Sequence, residues 1–178
     1  MQEEKEYKVL IVEDENIVAM DLSRRLSRLG YQVIGMASNG KRALELVESR
    51  HPDIILMDIH IKGNKDGIEV ADDINELYHI PVIFLTAYSE DSTLARARQT
   101  RPYGYLLKPF SERELHVAIQ VALERHAADL QLVKRETHLK LALNAAKLGT
   151  WEMESDKTVI MGYSPCGKLA VVENWQNL

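Results

Sequence analysis

Four short runs in this chain, Lys8-Val9-Leu10-Ile11-Val12, Asp53-Ile54-Ile55-Leu56-Met57, Pro81-Val82-Ile83-Phe84-Leu85 and Tyr103-Gly104-Tyr105-Leu106-Leu107, are apolar almost throughout, with no polar alternation. A strand with one wetted face alternates, whereas a strand covered on both faces reads this way. A fifth run, Tyr31-Gln32-Val33-Ile34-Gly35-Met36-Ala37, is weaker, broken by Gly35 and flanked by polar residues, as an edge or near-edge strand is. Between the runs, apolar residues recur with helical period: Ile17, Val18, Leu22, Leu26 and Leu29; Ala43, Leu44 and Val47; Ile68, Val70, Ala71, Ile74 and Leu77; and sparsely Leu94, Ala95 and Ala97. Alternating strands and helices predict right-handed crossovers and an α/β fold built on a doubly wound, five-stranded parallel sheet. Asp66 with Glu69, and Ser111 with Glu114, have the spacing of a side-chain cap followed by an acid in the first helical turn.

The 178 residues, 46% hydrophobic and 28% charged, are ordinary for a globular protein and predict one domain with an appendage. A single cysteine, Cys166, excludes a disulfide framework and a cysteine-built zinc site, and fits a reducing compartment, so a cytoplasmic location is expected. The polar start Met1-Gln2-Glu3-Glu4-Lys5-Glu6 lacks the layout of a signal peptide, and no apolar stretch approaches a membrane span. A formal charge of −5 without a basic block excludes direct nucleic-acid binding by the electrostatic route.

From Glu112 to Leu148 there is no glycine, proline, phenylalanine, tyrosine or tryptophan, which predicts one extended C-terminal helix. Its length would be about 55 Å, more than closing a sheet requires. Leu115, Ala118, Ile119 and Ala122 supply a stripe for the sheet, while Leu130, Leu132, Val133, Leu139, Leu141 and Leu143 lie beyond. Strict heptad spacing also collects Asp129, Glu136 and Lys140, so the seam is imperfect and the segment reads as a signalling-type linker. Gly149 is placed to end the helix. Thr150-Trp151-Glu152-Met153-Glu154, Ser155-Asp156-Lys157 and Thr158-Val159-Ile160 then read as strand, turn and strand, with no clear period after 161.

In a doubly wound sheet, ligands bind beyond the carboxyl ends of the strands. Those positions hold Glu13-Asp14, Asp58, Thr86-Ala87 and Lys108-Pro109. Three adjacent carboxylates repel one another unless a cation or raised pKa values relieve them, so the cluster suggests a divalent-ion site, and oxygen-only ligands point to Mg²⁺. Asp14 and Asp58 are candidate direct ligands, Glu13 acts through water, and the His60 backbone carbonyl completes the set. An aspartate oxygen beside such an ion can accept a phosphoryl group as an acyl phosphate. Asp58 is the candidate nucleophile, Lys108 the clamp on the phosphoryl oxygens and Thr86 a hydroxyl donor, with Ala87 leaving room for entry. Added phosphoryl charge would draw Thr86 inward, and Tyr105 is placed to follow.

With these pieces in register, the chain resembles a response-regulator receiver domain of two-component signalling over roughly residues 7–125. The resemblance rests on Val12-Glu13-Asp14-Glu15, Leu56-Met57-Asp58, Asp66-Gly67, Leu85-Thr86-Ala87 and Tyr105-Leu106-Leu107-Lys108-Pro109-Phe110. It implies a flavodoxin-like sheet of order 2-1-3-4-5 with helices. It further implies Mg²⁺-dependent transfer from a sensor histidine kinase to Asp58, a metal site of Glu13, Asp14 and Asp58, and switch roles for Thr86 and Tyr105. Such a domain is a phosphoacceptor regulator rather than an enzyme acting on a separate substrate. One departure is the loop His60-Ile61-Lys62-Gly63-Asn64-Lys65, which has Lys62-Gly63 where many receivers have a proline and is about one residue longer. A second stretch, Leu141 to Glu152, is similar to the opening of a PAS sensor domain, which implies a receiver at 1–125, a helical linker at 126–148 and a truncated PAS-like start or irregular tail at 149–178.

Rival classes fit less well. Aspartate-nucleophile phosphatases of the haloacid-dehalogenase kind place a second acid two residues after the nucleophile, where this chain has His60, and no G-x-G-x-x-G or P-loop follows the first strand. His51, His60, His79, His116, His126 and His138 show no metal-ligand spacing and read as surface residues; Cys166 reads as a bystander. A receiver used only as a dimerising scaffold is the alternative function. A homodimer is expected through the extended helix or the face around the last strand.

Overall fold

The computed structural model describes residues 6–87, 96–97, 100–145, 150–153, 160–163 and 169–172. The order is β1 (Lys8–Val12), α1 (Asn16–Arg28), β2 (Gln32–Ala37), α2 (Gly40–Arg50), β3 (Ile54–Asp58), α3 (Gly67–Tyr78), β4 (Val82–Ala87), β5 (Gly104–Lys108), a long helix α4 (Glu112–Ala145), and the short strands β6 (Thr150–Met153), β7 (Ile160–Tyr163) and β8 (Leu169–Val172). The chain divides into two compact units, residues 1–127 and 128–178.

In the first unit five parallel strands lie in the order β2-β1-β3-β4-β5, the predicted doubly wound sheet. The weak run Gln32–Ala37 forms one edge; the run of β5, expected to be covered on both faces, forms the other with Tyr105 and Leu107 exposed, because no strand lies beyond it in the sheet, and the runs of β1, β3 and β4 are interior. Successive strand residues serve opposite faces, which is why those runs do not alternate. Leu10, Val12, Ile55, Met57 and Phe84 pack with Ala43, Leu46 and Val47 of α2 and Val70, Ala71 and Ile74 of α3. Val9, Ile11, Ile54, Leu56, Ile83 and Leu85 pack with Ala19, Leu22 and Leu26 of α1 and Leu115, Ile119 and Ala122 of α4.

Helix starts follow their caps. Asn39 accepts a bond from Arg42 N at 2.9 Å, and Asp66 and Glu69 complete a reciprocal capping box. Ser111 and Glu114 exchange the same pair of bonds. Two helices end on histidines in the left-handed region, His51 with φ 48° and His79 with φ 54°. Two others are half-buried rather than at the surface: His116 Nδ1 lies 3.0 Å from Tyr31 Oη, and His126 Nδ1 lies 3.2 Å from Tyr103 Oη, so both fasten α4 to the domain. The apolar period of α1 overstated its first turn, because Ile17 is 85% exposed and Ala19 is the residue that turns inward. Of the sparse helix around Leu94, Ala95 and Ala97, only Ala97 lies among the described residues, buried against the α2–α3 side of the sheet.

Helix α4 runs unbroken through 34 residues, as the absence of helix breakers dictates. In the second unit, β6, β7 and β8 form an antiparallel sheet in sequence order. The returning strand is Ile160–Tyr163, and a third strand stands at Leu169–Val172 where no period was legible. Gly149, the turn Ser155-Asp156-Lys157, Thr158-Val159 and Cys166 lie outside the described residues. No helix among the described residues is long and apolar enough to cross a membrane.

Candidate functional site

Parallel register brings the carboxyl ends of β1, β3, β4 and β5 to one edge. Asp58 is the last residue of β3 and pairs with Leu85, so Thr86 stands one step further out; Thr86 pairs with Leu107, and Ala87 with Lys108. Glu13 follows β1 directly, its amide donating to Ala37 O at 2.9 Å. Glu13, Asp58 and Thr86 are the buried polar residues at this edge.

Lys108 joins the two buried acids. Its Nζ lies 2.6 Å from Glu13 Oε2 and 2.5 Å from Asp58 Oδ2. The other Asp58 oxygen, Oδ1, accepts the His60 amide at 2.9 Å, and Glu13 Oε1 accepts the Glu15 amide at 3.2 Å. Burial pushes the Glu13 carboxyl above its ordinary value, against the hydrogen bond from Lys108, and the neighbouring Asp58 charge adds to the rise. For Lys108, burial pulls the other way, but hydrogen bonds and charge from Asp58 and Glu13 outweigh it and hold the ammonium above its ordinary pKa. Lys108 is therefore charged throughout the neutral range.

Thr86 turns its hydroxyl toward Ala87 O at 3.2 Å, and Ala87 itself is exposed, so the site opens beside it. Tyr105 packs its ring on Phe84 with centroids 5.9 Å apart and is itself 36% exposed. It spans the sheet's interior and its surface two residues ahead of Leu107. The α3 start closes the site from behind: Gly67 N donates to Ile59 O at 2.9 Å, and a Cβ on Gly67 would sit 2.0 Å from Asp58 O.

The expected metal ligands are brought to one edge but not into one ligand set. Among the described residues no three of His, Cys, Asp and Glu come close enough to hold a metal ion. Glu13 and Asp58 converge on Lys108, while Asp14 is held by Lys62, Nζ to Oδ2 at 3.3 Å. The physical reason is charge: each carboxylate takes an ammonium within reach. His60 donates its amide to Asp58 Oδ1. The donor chemistry still fits a hard divalent cation, because three carboxylates, two of them buried, meet two ammonium groups, Lys108 and Lys62, and leave an excess of negative charge at an all-oxygen site. Sequence reasoning missed Lys62, since which residue of a loop reaches an acid depends on backbone turns that no periodicity encodes.

Comparison with known proteins agrees with this geometry. The sequence matches the response regulator receiver domain over residues 9–120. It is 40% identical over 118 residues to the transcriptional regulatory protein PdtaR of Mycobacterium tuberculosis, an alignment covering 66% of this chain and 57% of that protein. The chain thus spans a little over half the length of the curated relatives it matches. Among solved structures, the signal receiver domain of a modulated diguanylate cyclase from Desulfovibrio desulfuricans aligns with a TM-score of 0.67 at 36% identity, over 70% of this chain and 98% of that one. The N-terminal domain of a response regulator/sensory box/GGDEF three-domain protein from Carboxydothermus hydrogenoformans aligns with a TM-score of 0.64 at 35% identity, over 69% of this chain and 98% of that one.

Proposed function

Because the chain belongs to the response regulator receiver family, we propose that it is a phosphoacceptor switch that takes a phosphoryl group from a sensor histidine kinase onto Asp58. The observation that carries this reading is the Asp58 carboxylate, buried at the end of β3, oriented by the His60 amide and held 2.5 Å from the Lys108 ammonium. A carboxylate oxygen of Asp58 attacks phosphorus, and the bond from phosphorus to the donor's imidazole nitrogen breaks with its electron pair, the imidazole taking a proton from water. Lys108 neutralises charge on the phosphoryl oxygens, and Thr86 turns its hydroxyl from Ala87 O to the new group. Glu13, Asp14 and Asp58, with the His60 carbonyl, are the residues that would hold Mg²⁺. When bound, that ion offsets the charge gathered by the acids and the incoming phosphoryl group. Hydrolysis of the acyl phosphate by water resets the switch, so the only reactions catalysed are on the chain itself.

Tyr105, partly exposed beside Phe84, follows Thr86 and changes the surface around β5. Its output is carried by α4 to a homodimer partner or to a module beyond it, with residues 126–148 as the linker. The antiparallel strands β6 to β8 after that helix support reading 149–178 as the start of a PAS-like sensor segment, and the Carboxydothermus relative places a receiver in a chain with a sensory box. The site of action is the cytoplasm, where histidine kinases draw on ATP, and the acidic net charge supports a partner other than nucleic acid.

Intact-mass measurement after incubation with acetyl phosphate and Mg²⁺ tests the reading. One phosphoryl adduct is expected, absent with EDTA and absent in Asp58→Asn. A folded wild-type chain without an adduct, even from a phosphorylated kinase, would leave the receiver as a dimerising scaffold.

A further inference from the structure

Lys62 reaches Asp14 from a loop, 3.3 Å from Nζ to Oδ2, although its side chain is 75% exposed. The backbone delivers it there. Lys62 forms a parallel bridge with Asn39, the residue that caps α2, and the next residue, Gly63, has φ 128°, which glycine adopts without steric cost. The loop is thereby anchored to the start of α2, with its lysine directed at the acid cluster. The neighbouring loop lysine, Lys65, is engaged elsewhere, on Asp73.

The charges give this placement a consequence. Glu13, Asp14 and Asp58 carry three negative charges against the single ammonium of Lys108, and Lys62 supplies a second ammonium to the one acid that Lys108 does not touch. A divalent cation that uses Asp14 meets that ammonium first. We propose that Lys62 is a tethered counter-ion that competes with the divalent cation for Asp14, so that the β3–α3 loop sets the cation affinity of the site. This rests on the reading of Asp14 as a metal ligand. Released from Asp14, the Lys62 side chain has room in the groove it lines with Lys41, Leu44 and Val70, about 540 Å³ in volume.

Isothermal titration of the full chain with Mg²⁺ tests this, using Lys62→Met, Lys62→Glu, Lys65→Ala and Asp14→Asn, each checked for folding by circular dichroism. Lys62→Met is expected to bind Mg²⁺ about two- to five-fold more tightly, the range of an exposed ion pair. Lys62→Glu binds more tightly again, Lys65→Ala is unchanged, and the gap between wild type and Lys62→Met narrows as KCl screens the competing charge. Unchanged affinity in Lys62→Met, with binding still weakened by Asp14→Asn, overturns the role of Lys62 and leaves the metal reading standing. Absence of Mg²⁺ binding, or binding indifferent to Asp14→Asn, overturns both.

Discussion

A single ammonium, that of Lys108, faces two carboxylates that the fold has withdrawn from water, Glu13 and Asp58. The Glu13 carboxyl is pushed up by burial and by Asp58 in spite of the lysine. A folded-state pKa above the unfolded one means that the folded protein holds its proton more tightly. This contribution to stability is complete below the unfolded pKa and is lost as pH rises through the folded one. Ionised Glu13 is thus a cost at neutral pH, and Glu13→Gln is expected to raise the melting temperature by a few degrees at pH 7 in EDTA, with little gain at pH 4. Thermal melts at the two pH values check this; a lower melting temperature at pH 7 would contradict it. The members of this cluster were legible in the sequence because each directly follows an apolar run and parallel strands end on one edge. Their pairing was not. The His60 amide on Asp58 and the Lys62 ion pair with Asp14 depend on the turns of the β3–α3 loop, which composition does not encode.

At the scale of elements, the start of α3 passes close against the end of β3, and this approach requires Gly67. A side chain there would run into the backbone of Asp58 rather than into a flexible neighbour, since the nearest atom is Asp58 O. Gly67→Ala is expected to cost about 1–3 kcal/mol, the usual range for overpacking, and to slow Asp58 phosphorylation because the strand end carrying the nucleophile must shift. Urea denaturation and the phosphorylation rate measure the two effects, and a variant unchanged in both would contradict the contact. The interior strands β1, β3 and β4 were readable because two covered faces leave unbroken apolar runs, while β5 carried a similar run at an exposed edge and β2 was marked by its weaker one. The antiparallel strands were less so: each has only four residues, Gly162 interrupts β7, and β8 has no flanking pattern to mark it. Ile17 misled for a related reason, since an apolar residue in the first turn satisfies the period without being turned to the sheet.

On the scale of the whole molecule, the length of α4 is the feature that a lone phosphoacceptor does not need. Leu115, Ile119, Ala122, His126, Leu130, Val133, Thr137 and Leu141 follow one another at steps of three or four residues, so the stripe that packs on the sheet continues along the helix. Beyond the sheet its apolar members are exposed, Leu130 53%, Val133 60% and Leu141 61%. A second copy of the helix would cover them, and Thr137 and the neighbouring charges keep that seam weaker than a regular heptad. Sedimentation velocity is expected to show a concentration-dependent dimer for the full chain and a monomer for Leu130→Glu with Val133→Glu; a dimer that survives both substitutions would place the contact elsewhere. The proposed switch has its chemistry at one carboxylate, so the most direct test is to find where the phosphoryl group goes. Borohydride reduction of the phosphorylated full chain converts an aspartyl phosphate to homoserine, which peptide mass spectrometry locates. The account predicts homoserine at position 58 and at no other, formed only when Mg²⁺ was present; homoserine at another position, or phosphate stably retained on a histidine, serine or threonine, would contradict it.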